Sequence, residues 1–400
     1  MLSELGLSFI LSAGILSTIR TKGMSDKVKI DKIFEHTKTW IVTEKGNKKK
    51  PVFIRKEEIG DTGTKYVYRL PLGLPSKLLK KLNENIGIFK DGLHKNVEVE
   101  FDGGMLHINV YEEDLPAKWD YNELIPKLKE GSWNIPVGKT FKGLIYHDFD
   151  KIPHSVVGGT TRYGKTVYLK GLITSLILSN PNDAEFYIVD LKRKLEFNRY
   201  ENLKQVINVA GTPDEALEML SDLHIRMESM MDYFRKNGFN NIVQTPIKKR
   251  MFVIIDEANR LVPENSKDKV RISIKRHLED IACVMGGLGV RLIFCTQYPV
   301  ATTLPRDVKQ NSDAKVSFRL QNKYASEVVL GEENSHAAEL PDIQGRCIAI
   351  HGSNLLEMQT PLITDEQMTE LLSPYVENGR IEQIEEHKHS DDVIQIRNVE

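Results

Sequence analysis

The chain has 400 residues, 40% of them hydrophobic, which at about 150 residues per domain suggests two or three domains with sizeable cores. Its formal net charge of -1 hides a basic stretch over 1–56 and an acidic one over 377–400; near-neutrality does not exclude nucleic acid, because a protein enclosing DNA needs positive charge only along its channel. Three cysteines, Cys283, Cys295 and Cys347, are odd in number and far apart; they exclude a disulfide framework and a cysteine metal site, and read as buried thiols of a reducing, cytoplasmic setting.

In chain order, residues 5–19 form an uncharged apolar run followed by Arg20, Lys22, Lys27 and Lys29. A secretory signal carries its positive charge ahead of the apolar run, so this is not one. At about 15 residues it falls short of the about 20 that a bilayer span needs, yet cations on its far side suit a membrane-inserted end with the rest in the cytoplasm. Two readings of the segment 1–30 stay open: attachment to the cytoplasmic membrane, or a docked amphipathic helix. The run Lys48, Lys49, Lys50 reads as a solvated turn between strands.

A small α+β domain is expected over 31–120. Its clearest part is a β-α-β-β module: the alternating YVYRLPLGL, a helix over 76–88 with Leu78, Leu79, Leu82 and Ile86 on one face, and the strands VEVEF and LHINVY around the turn Asp102-Gly103-Gly104. A polar, proline-containing connection over 115–136 separates it from a larger domain, expected over 121–375. An acidic tail over 376–400 follows.

Within the larger domain, residues 156–167 read VVGGTTRYGKTV, where Gly159, Gly164, Lys165 and Thr166 fit G-x-x-x-x-G-K-[ST]. In such a loop backbone amides wrap a polyphosphate, the lysine neutralises the β- and γ-phosphates, and the hydroxyl holds Mg²⁺. A short apolar strand precedes it and an apolar helical run over 166–178 follows, so it caps a helix N-terminus, where dipole and free amides favour anions. The expected nucleotide-binding set is Gly159, Thr160, Thr161, Arg162, Tyr163, Gly164, Lys165, Thr166 and Val167.

The chain then alternates strands and helices. A strand over 184–189 ends in Asp190, QVINV is another, and TPDE at 212–215 is a capping box with proline at the first helical position, opening a helix to about residue 236. The continuous apolar run over 251–255 is the signature of a strand buried on both faces, and it ends in Asp256-Glu257. In P-loop proteins a carboxylate there holds Mg²⁺ through water, and an adjacent glutamate polarises the attacking water. Asp256, with Thr166, is therefore the expected metal residue and Glu257 the general base. The strand over 290–295 runs into Thr296-Gln297, placing Gln297 as a γ-phosphate sensor. One additional strand between the loop strand and the acid strand defines the additional catalytic glutamate class, so the expected fold is α/β, a RecA-like P-loop NTPase.

Taken together, these blocks resemble the FtsK/SpoIIIE DNA translocases over about 135–364. IPVGKT and DFDKIPHSVVGGTTRYGKTV look like the approach to that family's phosphate loop; IVDLKRKLEF looks like its D-P-K block with Leu191 for proline. FVIIDEANRLV matches its acid strand, and FCTQYPV its T-Q-R-P segment with Tyr298 for arginine; Arg162-Tyr163 replaces the usual Gly-Ser in the loop. The small domain also resembles the one preceding the motor in these proteins.

The resemblance implies ATP and Mg²⁺ as ligands, DNA as partner, and a homo-oligomeric ring, usually a hexamer, in which one subunit's arginine completes its neighbour's site. Lys315 occupies the matching position; lysine lacks the bidentate fork, so Arg319 or Arg306 is expected to serve instead. Pore-facing loops around 238–250 and 341–352 offer Lys248, Lys249, Arg250, Gln344 and Arg346, which would grip phosphates without reading sequence. With no room for an orientation-reading winged-helix domain, the layout resembles coupling ATPases of Gram-positive conjugative elements, whose transfer would add a relaxase as partner. The competing expectations are an ATPase of a type VII secretion system and a chromosome-partition translocase.

Overall fold

The computed structural model describes residues 23–42, 45–60, 63–73, 86–263, 265–300, 302–351 and 354–377. The apolar run over 5–19, most of the helix expected over 76–88, and the tail beyond 377 lie outside the described residues. Among the described residues no helix is long and apolar enough to cross a membrane. The chain divides into two compact units, one running to Leu115 and including Phe141–Gly143, the other comprising Pro116–Thr140 and everything from Leu144 onward.

The smaller unit contains α1 (Asp26–His36), β1 (Ile41–Val42), β2 (Lys48–Lys49), β3 (Val52–Ile59), β4 (Gly63–Arg69), α2 (Ile86–Leu93), β5 (Asn96–Asp102) and β6 (Met105–Tyr111). Four strands form an antiparallel sheet in the order β3-β4-β6-β5. Tyr68 of β4 and Leu106 and Ile108 of β6 bury against Ile33 and Phe34 of α1 and Phe89 of α2. Two features depart from expectation. Lys48 and Lys49 lie in a strand paired with β1 instead of a turn, and β3, unread in the sequence, is an edge strand whose VFIRKEEI leaves most side chains exposed. An edge strand rich in charge lacks the apolar alternation that sequence reading relies on.

The larger unit is built on a ten-stranded sheet. Its elements are β7 (Asn134–Thr140), β8 (Gly143–Asp148), β9 (Ser155–Gly158), α3 (Lys165–Ser179), β10 (Ala184–Asp190), β11 (Val206–Ala210), α4 (Pro213–Asn237), β12 (Arg250–Asp256), α5 (Lys269–Asp280), β13 (Val290–Thr296), α6 (Arg306–Asn311), β14 (Ala314–Phe318), α7 (Lys323–Leu330), β15 (Arg346–His351), β16 (Asn354–Gln359) and α8 (Asp365–Leu372). The order is β11-β10-β12-β13-β9-β14-β15-β16-β7-β8, and the first six strands are parallel. β13 lies between the loop strand β9 and the acid strand β12. Every residue of β10, β12 and β13 is buried, as parallel strands covered on both faces require. Along β12 the pleat sends Val253 and Ile255 to the core shared with α4 and α5, and Phe252 and Ile254 to the core shared with α3.

The expected linker over 115–136 is not one. Trp119, Tyr121, Leu124 and Trp133 are buried in the larger core, and Tyr121 Oη bonds Ser175 Oγ of α3 at 2.7 Å. These aromatics pull the boundary back to Leu115/Pro116, ahead of the expected 120/121. At the N-terminal ends of β12 and β13, Arg250 and Arg291 both donate to Asp150, at 2.7 and 2.8 Å. At the opposite ends, Asp190 is in register with Asp256, and Thr296 with Gly158, so four strand termini converge where ligands of open α/β sheets bind.

Candidate nucleotide-hydrolysis site

The loop between β9 and α3 has a shape that only its glycines permit. Gly164 adopts φ +108°, and a Cβ there would stand 2.9 Å from the backbone nitrogen of Gly345; a Cβ on Gly159 would stand 2.8 Å from Phe318. The loop is pinned from outside: the Gly159 N–H donates to Thr296 O at 3.2 Å, Thr160 donates through N and Oγ1 to Arg319 O, and the Gly345 N–H donates to Tyr163 O at 2.9 Å. The first N–H groups of α3 therefore open into a cleft of about 430 Å³. Thr160, Thr161, Arg162, Gly164, Lys165, Thr166 and Val167 line it; Gly159 and Tyr163 stand behind as supports.

Lys165 is 4% exposed and ion-pairs with Asp256 Oδ1. Burial alone would pull its ammonium down, but the Asp256 carboxylate outweighs that and raises it above the ordinary lysine value. Asp256 is fully buried, and its Oδ2 has no hydrogen-bond partner. Glu257 stands beside it in the left-handed region, φ +64°, with Oε2 equally without a hydrogen bond. Strained backbone with orphaned carboxylate oxygens at a strand end is expected where a cation and a water are to be held. A magnesium–triphosphate fits these residues, since Thr166 lines the same cleft and Asp256 Oδ2 is an open acceptor. Gln297 also lines the cleft, its Oε1 accepting from Thr161 Oγ1 at 3.1 Å. Cys295, buried beside this cluster, has its thiol pushed up to about 12 by burial, and Cys347 is likewise buried. Cys283 is exposed, contrary to expectation.

The proposed pore contacts separate into three groups. Arg250 and Arg346 are corrected: Arg250 is 4% exposed and held by Asp150, and Arg346 is 6% exposed, held by Glu357 at 2.9 Å and Gln359 at 3.1 Å. Buried cations paired within their own chain have no face to offer a phosphate. Gln344 lines the nucleotide cleft. Lys248 and Lys249 are exposed, just before the end of β12 opposite the cleft, and Lys249 pairs with Glu185 at 2.7 Å. Among the arginine-finger candidates, the Arg319 guanidinium lies over Tyr163 of its own loop, Arg306 is exposed, and Lys315 donates to Ser312 O.

Sequence reasoning missed the far wall of the cleft, made by Ala117, Lys118, Gln359, Thr360, Pro361 and Leu362. No motif marks those residues; antiparallel β16 and the stretch before β7 bring them there. It also gave no role to Lys192, although that lysine is the K of the recognised D-P-K block and lines the cleft.

A parallel sheet carrying one strand between loop strand and acid strand, with the loop lysine reaching the strand-end aspartate, defines a RecA-like P-loop ATPase of the additional catalytic glutamate class. Residues 127–306 match the FtsK/SpoIIIE family. The DNA translocase FtsK of Streptococcus pneumoniae is 26% identical over 71% of this chain and 39% of its own length; that of Oceanobacillus iheyensis is 24% identical over 82% and 44%. The chain thus spans about two fifths of the length of these curated relatives. Among solved structures, the pCW3 conjugation coupling protein TcpA, in a monomer form with ATPγS, matches with TM-score 0.61 at 22% identity, over 87% of this chain and 99% of that one. The cytoplasmic domain of the Thermomonospora curvata type VII secretion ATPase EccC matches with TM-score 0.53 at 21% identity, over 66% and 33%.

Proposed function

We propose that this chain hydrolyses ATP and, assembled into a homo-oligomeric ring on the cytoplasmic side, converts hydrolysis into movement of DNA during transfer of a conjugative or other mobile element. The observation that carries the hydrolytic part is that Lys165 and Gln297 line one cleft, with Asp256 paired to Lys165 and Glu257 3.5 Å from the cleft-lining Lys192. Lys165 neutralises the phosphates, Glu257 accepts a proton from the attacking water, and Gln297 couples the terminal phosphate to β13. Thr166 and Asp256 would hold Mg²⁺, which when bound supplies positive charge to the phosphate oxygens. Arg319 acts on its own subunit's loop, and exposed Arg306 is the arginine offered to a neighbour.

The DNA part is supported by the relatives named DNA translocase, and the conjugative part by the likeness to the solved chain of a coupling protein along nearly all of that chain. Lys248, and Lys249 after leaving Glu185, would grip the DNA backbone, and a relaxase would deliver the strand. ATPase assays with single- and double-stranded DNA test the reading; stimulation by either supports it. A rate indifferent to DNA but raised by a secretion-signal peptide would favour instead the secretion reading that the EccC likeness motivates.

A further inference from the structure

Lys192, on the loop after β10, lines the cleft with its ammonium among three carboxylates, nearest to Glu257: Nζ is 3.5 Å from Glu257 Oε2, 3.9 Å from Glu196 Oε1 and 4.0 Å from Asp256 Oδ2. The base of its loop is fixed, because the Asp190 carboxylate accepts the backbone N–H groups of Lys192, Glu196 and Phe197. The side chain is not: it is 24% exposed, and its ion pairs are too long for hydrogen bonds, leaving Glu257 Oε2 without one. The other cations within 4.0 Å of Asp256 or Glu257 are committed. Lys165 belongs to Asp256, and Arg260, 4.0 Å from Glu257, donates to Leu191 O at 3.0 Å.

We propose that Lys192 senses the terminal phosphate: it pairs with Glu257 when no γ-phosphoryl group is present and moves to that group when a triphosphate binds, releasing the Glu257 carboxylate to engage water. The inference rests on the hydrolytic reading above. One ammonium on a flexible four-carbon stem faces two anionic acceptors, and a terminal phosphate with three oxygens and higher charge outcompetes a single carboxylate. Only a triphosphate presents that group, so the residue distinguishes ATP from ADP. Its loop then carries the difference into β10.

The test is equilibrium binding of magnesium–ATPγS and magnesium–ADP to the full chain, for wild type, K192M, K192R, E257Q and K192M/E257Q, with melting curves to confirm folding. K192M is expected to weaken ATPγS by about tenfold while leaving ADP within about twofold, and K192R to restore most of the loss. E257Q removes the competing carboxylate, so it should tighten ATPγS, and adding K192M should cancel that gain; if K192M alone fails to fold, K192R and E257Q decide. Equal losses for both nucleotides, no loss for either, or a gain in E257Q that survives in the double variant would overturn the inference while leaving the hydrolytic reading intact. Wild type that binds neither nucleotide overturns both.

Discussion

At Gly164 a single missing methyl group decides whether the phosphate loop closes. Its φ of +108° and the 2.9 Å approach of a Cβ to the Gly345 nitrogen mean that Gly164→Ala must break the Gly345–Tyr163 bond or distort the loop. We expect about 1–3 kcal/mol of lost stability and a parallel loss of nucleotide affinity, read by melting and nucleotide titration. Lys165 and Glu257 differ in kind from such supports because their charges face the reaction. Lys165→Ala should cut ATP turnover by about 100-fold or more and weaken nucleotide binding. Glu257→Gln should cut turnover comparably while still retaining bound ATP; unchanged turnover in that variant would remove Glu257 from the chemistry.

Among the elements, α4 shows how local rules position a long helix away from the site. Thr212 Oγ1 accepts the Glu215 N–H at 3.3 Å, and Glu215 Oε2 accepts from Gly211 N at 2.7 Å, one residue earlier than a reciprocal box requires. Thr212→Ala should cost about 1 kcal/mol in urea unfolding and leave nucleotide affinity unchanged. β12 and β13 are tied together differently, through Asp150. Burial would raise its carboxyl, but hydrogen bonds from Arg250 and Arg291 outweigh this and hold it below the ordinary aspartate value. Asp150→Asn leaves two inward-facing guanidiniums without a counter-charge and should cost about 3–5 kcal/mol by chemical denaturation.

For the molecule as a whole, acid sensitivity should come from His154. Burial, with Arg291 adding to it, pushes the imidazole down to about 3, and its Nδ1 accepts the Leu292 N–H at 2.9 Å. The unfolded chain, with a histidine near about 6.5, binds this proton more readily than the folded one. Stability from this group is therefore complete above about 6.5 and falls by about 1.4 kcal/mol per pH unit as pH drops toward 3. His154→Gln keeps an acceptor for Leu292 and should flatten that slope by one proton; denaturation series between pH 7 and 5 measure it.

The phosphate loop, the acid strand and the alternation of buried strands with capped helices were legible in the sequence because each is local: a glycine spacing, a continuous apolar run, a cap within four residues. The order of the strands beyond the one inserted between loop strand and acid strand, the burial of Arg250 and Arg346, and the cleft wall at Gln359 to Leu362 were not, because each depends on partners far away in the chain. A cation in a surface-like run reads the same whether it faces solvent or a carboxylate a hundred positions upstream, and Asp150 decided that for Arg250. The sequence by itself determined the chemistry available at the loop and the strand ends; tertiary packing alone decided which charges were spent within the chain and which, like Lys192, were left facing the cleft.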